Sequence, residues 1–185
     1  TPDIVVAILD SGLATAAETA FLNVNWGLDF VSDPLISMDG DGRDLDAEDP
    51  GDIAQGCGWW TEPSWHGTKM ASILAADHNT QLIKGIAPNS TIMPVRVLGA
   101  CGSGFANDVA DAIVWASGGA INGMLTNPTP AQIISLSLAG TGPCPSYLQS
   151  AVNQAISLGS IIIAAAGNDG SNTTSDTFPA NCAGV

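Results

Sequence analysis

Ile4-Val-Val-Ala-Ile-Leu-Asp-Ser-Gly12 is the stretch that decides the fold. Its six apolar residues, rich in isoleucine and valine, predict a strand buried on both faces. Such strands run through the middle of parallel sheets, where neither side meets water. The run stops on a charge, Asp10, after which Ser11 and Gly12 turn the chain. The carboxyl end of a central parallel strand lies on the edge where open α/β sheets collect ligands. Asp10 is therefore a candidate site residue. The plainer alternative is an Asp-Ser-Gly turn without chemistry.

Working outward, buried runs alternate with amphipathic ones. Residues 14–22 read as a short helix, 25–31 as a second strand and 92–98 as a third, in which Pro94 removes one ladder donor. Residues 105–117 read as a helix with Val109, Ala112, Ile113 and Ala116 facing inward. A fourth strand is expected over 133–138, a helix over 147–158, and a fifth strand over 160–166 that ends in Gly167-Asn168-Asp169-Gly170. This alternation predicts an α/β fold, a mostly parallel central sheet with helices on both faces. The carboxyl ends of its strands would share one rim, bringing Asp10, Ser137 to Gly140 and Asn168 to the same edge.

His66 opens a run of small and apolar residues in which Met70, Ile73 and Leu74 share one helical face, so it stands at a helix N-terminus. The helix dipole disfavours the imidazolium there unless a carboxylate is near, and Asp10 is the candidate carboxylate. A histidine satisfied within the structure is the alternative. A carboxylate, a histidine and a side-chain amide beside exposed backbone are most of an acyl-transfer site; the nucleophile is what they lack.

The composition, 45% hydrophobic and 12% charged over 185 residues, is that of one domain with a sizeable core. No apolar run approaches the roughly 20 residues of a membrane helix. The chain opens on strand-like sequence with no basic-then-apolar leader, so a signal or pro-segment is expected to have been removed already. Eighteen acids against four bases give a formal charge of -14, which repels phosphate backbones and anionic lipid and argues against nucleic-acid or membrane partners.

Seven of the acids fall between Asp39 and Asp52, at alternating positions among glycines. Such a loop can converge oxygens on a cation, and Ca²⁺ is the expected one, with Asp39, Asp41, Arg43, Asp44, Asp49 and Asp52 as the candidate metal-loop residues. The twelfth-position glutamate and flanking helices of an EF-hand are absent, and a solvated acidic loop is the alternative. Four cysteines allow three pairings. Cys57 with Cys101 and Cys144 with Cys182 is the expected set, as in exported proteins; free thiols in a cytosolic protein are the alternative.

Three blocks now stand in order: Val6-Ala-Ile-Leu-Asp-Ser-Gly12, His66-Gly-Thr68 and Ala165-Ala-Gly-Asn-Asp169. Together they resemble those of the subtilisin-like serine peptidases, and the resemblance runs through nearly all of the chain. Ser135-Leu-Ser-Leu-Ala-Gly140 resembles the strand lining that family's substrate groove. The acidic loop, Ser64-Trp-His-Gly-Thr68 and the cysteines resemble its secreted, disulfide-bearing bacterial branch.

The resemblance implies an extracellular endopeptidase acting on polypeptides, stabilised by Ca²⁺ and made with a cleavable pro-segment. Asp10 would orient His66, His66 would be general base and then general acid, and Asn168 would donate to the oxyanion. Ser137, Leu138, Ala139 and Gly140 would pair with the substrate backbone, and Ala165, Ala166 and Gly167 would wall the P1 pocket.

The family's Gly-Thr-Ser-Met-Ala serine block is absent. Residues 1–185 are therefore expected to be the N-terminal part of one catalytic domain. The serine would come from a C-terminal segment or another chain, and the unfinished sheet would have an open edge. A pseudopeptidase or peptide-binding module lacking the nucleophile is the alternative. A nucleotide-binding domain is disfavoured, since the first turn lacks Gly-x-Gly-x-x-Gly. Lys69, one turn from His66, would lower its pKa, and Thr19 stands where the family has a calcium-binding aspartate.

Overall fold

Val5–Asp10 forms strand β1, with every residue from Val6 to Asp10 buried, at the centre of a five-stranded sheet. In the computed structural model, residues 4–14, 19–58, 62–77, 84–168, 170 and 176–185 are described. In chain order the elements that follow are β2 (Leu28–Asp29), α1 (Pro34–Ser37), α2 (His66–Ala75), β3 (Thr91–Arg96), α3 (Ala106–Ala116), β4 (Ile133–Leu136), β5 (Gly140–Thr141), α4 (Ser146–Ser157), β6 (Ile161–Ala164) and β7 (Thr177–Phe178). The large sheet runs β2-β3-β1-β4-β6, and every neighbouring pair in it is parallel. β5 and β7 form a separate antiparallel pair.

The two-residue period of β1 splits its side chains between two cores. Ala7 and Leu9 join the cluster beneath α3 and α4, with Ile113, Trp115, Leu148 and Val152, whereas Val6 and Ile8 pack with Ala71 and Ala75 of α2. Helices thus cover both faces. Register places Asp10 beside Arg96, at the carboxyl edge of the sheet.

Several expected elements differ. Residues 19–22 form a turn in place of the helix expected over 14–22, and 15–18 lie outside the described residues. The strand expected over 25–31 narrows to Leu28–Asp29, because Gly27 and Pro94 lie side by side: a Cβ on Gly27 would fall 1.8 Å from the Pro94 carbonyl oxygen. Pro94 is tolerated because its missing donor faces this short edge strand, whose ladder begins one residue later. On α2 the fully buried residues are the small ones, Gly67, Ala71 and Ala75, while Ile73 is 56% exposed; the sheet is approached too closely there for a larger side chain.

β6 is an edge strand, and one of its faces is open, with Ile161 62% and Ile163 55% exposed. A cavity of about 290 Å³ beside it is lined by Ile8, Ile73, Leu74, Ile86, Ile133 and Ile163, among others.

Candidate active site

β1 delivers Asp10 to the sheet edge fully buried, and α2 begins on His66 directly across from it. The approach is close because residue 67 is glycine: a Cβ there would sit 2.2 Å from the carbonyl oxygen of Gly12 and 3.2 Å from the Asp10 Cβ. His66 Nδ1 lies 2.7 and 2.9 Å from the two Asp10 carboxylate oxygens, across 56 residues of sequence. A carboxylate only accepts, so Nδ1 carries the proton, and Nε2 is the nitrogen left for proton transfer. The Ser11 amide donates to the same Asp10 carboxylate at 2.8 Å.

The hydrogen bond to Asp10 is the strongest influence on His66 and raises its pKa above the ordinary histidine value; partial burial opposes it, and the Asp10 charge reinforces it. Lys69 lowers the pKa as expected, but more weakly, and Asp52 raises it. The expectation drawn from the helix dipole and Lys69 is thus outweighed by the carboxylate.

His66 opens onto a cavity of about 670 Å³ whose walls include Leu98, Ser103, Gly104 and the stretch Ser137, Leu138, Ala139 and Gly140. That same stretch is one side of a second cavity, of about 290 Å³, with Ala165, Gly167 and the exposed Asn168 on the other. Ala166 is exposed between them. The walls at Leu98 to Gly104 and at Phe178 went unread in the sequence, where they carry no catalytic side chain.

The N-terminus of α2 has an unusual cap. Trp65 at the cap position is left-handed, with φ 48°, and its side chain caps nothing. The first two amides instead reach hydroxyls: His66 N–H donates to Ser64 Oγ at 3.2 Å and Gly67 N–H to Ser11 Oγ at 3.0 Å. Each hydroxyl donates in turn to a buried carboxylate, Ser64 to Asp52 at 2.5 Å and Ser11 to Asp49 at 2.7 Å.

The acidic loop is tied into the protein at several points. Asp49 and Asp52 serve the helix of His66. Asp39 and the buried Asp29 pair with the Arg96 guanidinium, which also donates to the Ser37 carbonyl. Asp44 accepts from the Asp46 amide at 2.8 Å. Arg43, itself a cation, pairs with Asp108 at 2.6 Å and Asp111 at 2.7 Å and covers the Phe30 ring. Asp41 is exposed; some desolvation, then the charges of Asp44 and Asp39, raise its pKa. Among the described residues no group of three or more His, Cys, Asp or Glu side chains is gathered to hold a metal ion. Arg43 and Arg96 are the cations at this loop, Arg96 pairing with Asp39 and Arg43 with acids outside the loop.

The cysteines pair as Cys57 with Cys101 and Cys144 with Cys182, with Cα atoms 5.0 and 5.2 Å apart. The first bridge lies against the site: Cys101 lines the cavity of His66, and its amide donates to the Asp52 carbonyl at 2.7 Å.

The subtilase family (peptidase S8) matches residues 1–185. The chain belongs to the subtilase family. Among curated subtilases it is similar to an extracellular protease of Xanthomonas campestris pv. campestris, 46% identical over 98% of this chain and 32% of that protein. It is also similar to an extracellular basic protease of Dichelobacter nodosus, 36% identical over 98% of this chain and 31% of that protein. A solved protease structure from Pseudoalteromonas arctica superposes with a TM-score of 0.90 at 44% identity, covering 98% of this chain and 54% of that one. The chain thus spans about a third of these curated relatives and about half of the solved structure. The mostly parallel sheet with flanking helices is the subtilisin-like arrangement of that neighbour.

Proposed function

We propose that residues 1–185 are the N-terminal part of the catalytic domain of an extracellular serine endopeptidase that works through an Asp-His-Ser triad. The observation that carries this reading is the buried Asp10 carboxylate 2.7 Å from His66 Nδ1, at the mouth of a groove walled by Ser137 to Gly140. Asp10 holds His66 in the tautomer whose Nε2 can accept a proton and stabilises the imidazolium that results. The serine nucleophile comes from sequence outside these residues. Support for this is the short span of the chain on its relatives and the open apolar face of β6. Ser11 and Ser64, the hydroxyls beside His66, are already committed to Asp49 and Asp52.

In the reaction, His66 Nε2 takes the serine proton as the oxygen attacks the scissile carbonyl. The Asn168 amide donates to the developing oxyanion, and His66 returns the proton to the leaving amine as the C–N bond breaks. Water then repeats the sequence on the acyl-enzyme. Backbone groups of Ser137, Leu138, Ala139 and Gly140 pair with an extended polypeptide, and Ala165, Ala166 and Gly167 wall the P1 side chain. No step passes through a metal, and no cation site is assigned to residues 39–52.

Hydrolysis of a chromogenic peptide anilide by the full-length protein tests this reading. His66→Ala should remove turnover while leaving the melting temperature within a few degrees. Turnover that survives His66→Ala would overturn the role given to His66, and an intact full-length protein with no turnover would favour the binding module.

A further inference from the structure

We infer that Asp52 and Asp49 are positioning residues for His66, each acting through one serine on the first amides of α2. The inference rests on the proposed role of His66. It is drawn from the geometry of two parallel relays: Asp52, Ser64 Oγ and His66 N–H form one, and Asp49, Ser11 Oγ and Gly67 N–H the other. A serine hydroxyl has one proton. A carboxylate can only accept, so that proton is committed to the aspartate, and the oxygen's lone pairs are left to face the helix amides. The aspartates thereby fix the direction of both hydroxyls.

Both carboxylates are themselves held at their second oxygen. Asp52 accepts from the Ser64 amide at 2.7 Å and Asp49 from the Gly51 amide at 2.8 Å. Both are at most 3% exposed. The arrangement answers a local need, because the residue at the cap position offers α2 no side-chain acceptor. It also joins His66 to the groove. Cys101, on the cavity wall, donates its amide to the Asp52 carbonyl and is bridged to Cys57, so wall, carboxylate and imidazole are anchored on the same few residues.

The charged groups that face the imidazole are Asp10 from β1, Lys69 from its own helix and Asp52 from the loop. Asp49 lies behind Ser11, and Arg96 of β3 is taken up by Asp29 and Asp39. An Asp52→Asn side chain would keep one acceptor but turn a donor towards Ser64 Oγ, reversing that hydroxyl away from His66 N–H and removing a charge.

The test follows the His66 ring by NMR titration in the full-length protein, with His66→Gln used to assign its signals. Asp52→Asn should move the His66 titration to lower pH and shift the His66 amide resonance. Ser64→Ala should shift the amide resonance, and Ser64→Thr should restore it. Asp46→Asn, an exposed acid of the same loop, should leave both signals in place. Where turnover is measurable, kcat of Asp52→Asn should fall roughly 10- to 100-fold with KM little changed. If Asp52→Asn does not fold, the Ser64→Ala and Ser64→Thr pair decides alone. A lowered melting temperature with an unmoved His66 titration and amide would overturn the inference. Because NMR reads the ring directly, a peptidase reading that fails on turnover does not obscure the result.

Discussion

At the scale of the residue, one pair governs the proposed chemistry, and it makes two demands on experiment. The pKa of His66 is raised chiefly by its hydrogen bond to Asp10, so the folded state binds a proton more tightly than the unfolded one. The pair's contribution to stability is full below the unfolded value of about 6.5 and is lost as pH rises through the folded value. Urea unfolding across that window should show this loss, and Asp10→Asn should flatten it. In the full-length enzyme the same substitution should lower kcat by about 10⁴, the loss expected when the imidazole is left in the wrong tautomer. The role proposed for Asn168 lies elsewhere, on the oxyanion. Asn168→Ala should cost about 10²- to 10³-fold in kcat, the value known for subtilisin's asparagine, with unfolding unchanged because the side chain is exposed.

At the scale of the element, the docking of α2 against β1 decides whether the pair can form. Gly67→Ala would put a methyl group against the Gly12 carbonyl and should cost more than about 2 kcal/mol in urea unfolding while displacing His66. The central strand, the alternation of strands and helices, Asp10, His66 and Asn168 were legible because burial period and motif speak locally. What was not legible was long-range. Ile73 fits the apolar stripe of α2 by spacing, yet the sheet is met by Ala71 and Ala75, since only small side chains allow the close approach. The loop from Asp39 to Asp52 looks like a calcium loop because its acids alternate. Their partners, Arg96, Ser11 and Ser64, lie 57, 38 and 12 residues away in sequence and could not be paired by inspection. This reading predicts that a chelator leaves hydrogen exchange of residues 39–52 unchanged, whereas Arg96→Met speeds it and costs about 3–5 kcal/mol by stranding the buried Asp29. Exchange that accelerates on chelation would place a metal in the loop.

At the scale of the whole molecule, the chain presents the candidate site on one rim and an exposed apolar face on the α2 side of its sheet. The groove, the Asp10–His66 pair and Asn168 face one rim, while Ile161, Ile163, Ile73 and Ile86 stand exposed on the α2 side of the sheet. Exposed apolar surface of that kind marks a face made to be covered. The family relatives extend well beyond the span this chain matches. The account accordingly makes these residues one part of a peptidase whose nucleophile lies outside them. The most direct test labels the full-length protein with a fluorophosphonate probe and maps the modified residue by mass spectrometry. The account predicts one labelled serine, outside residues 1–185, and no labelling of His66→Ala. A label on a serine within residues 1–185, or labelling that survives loss of His66, would contradict it.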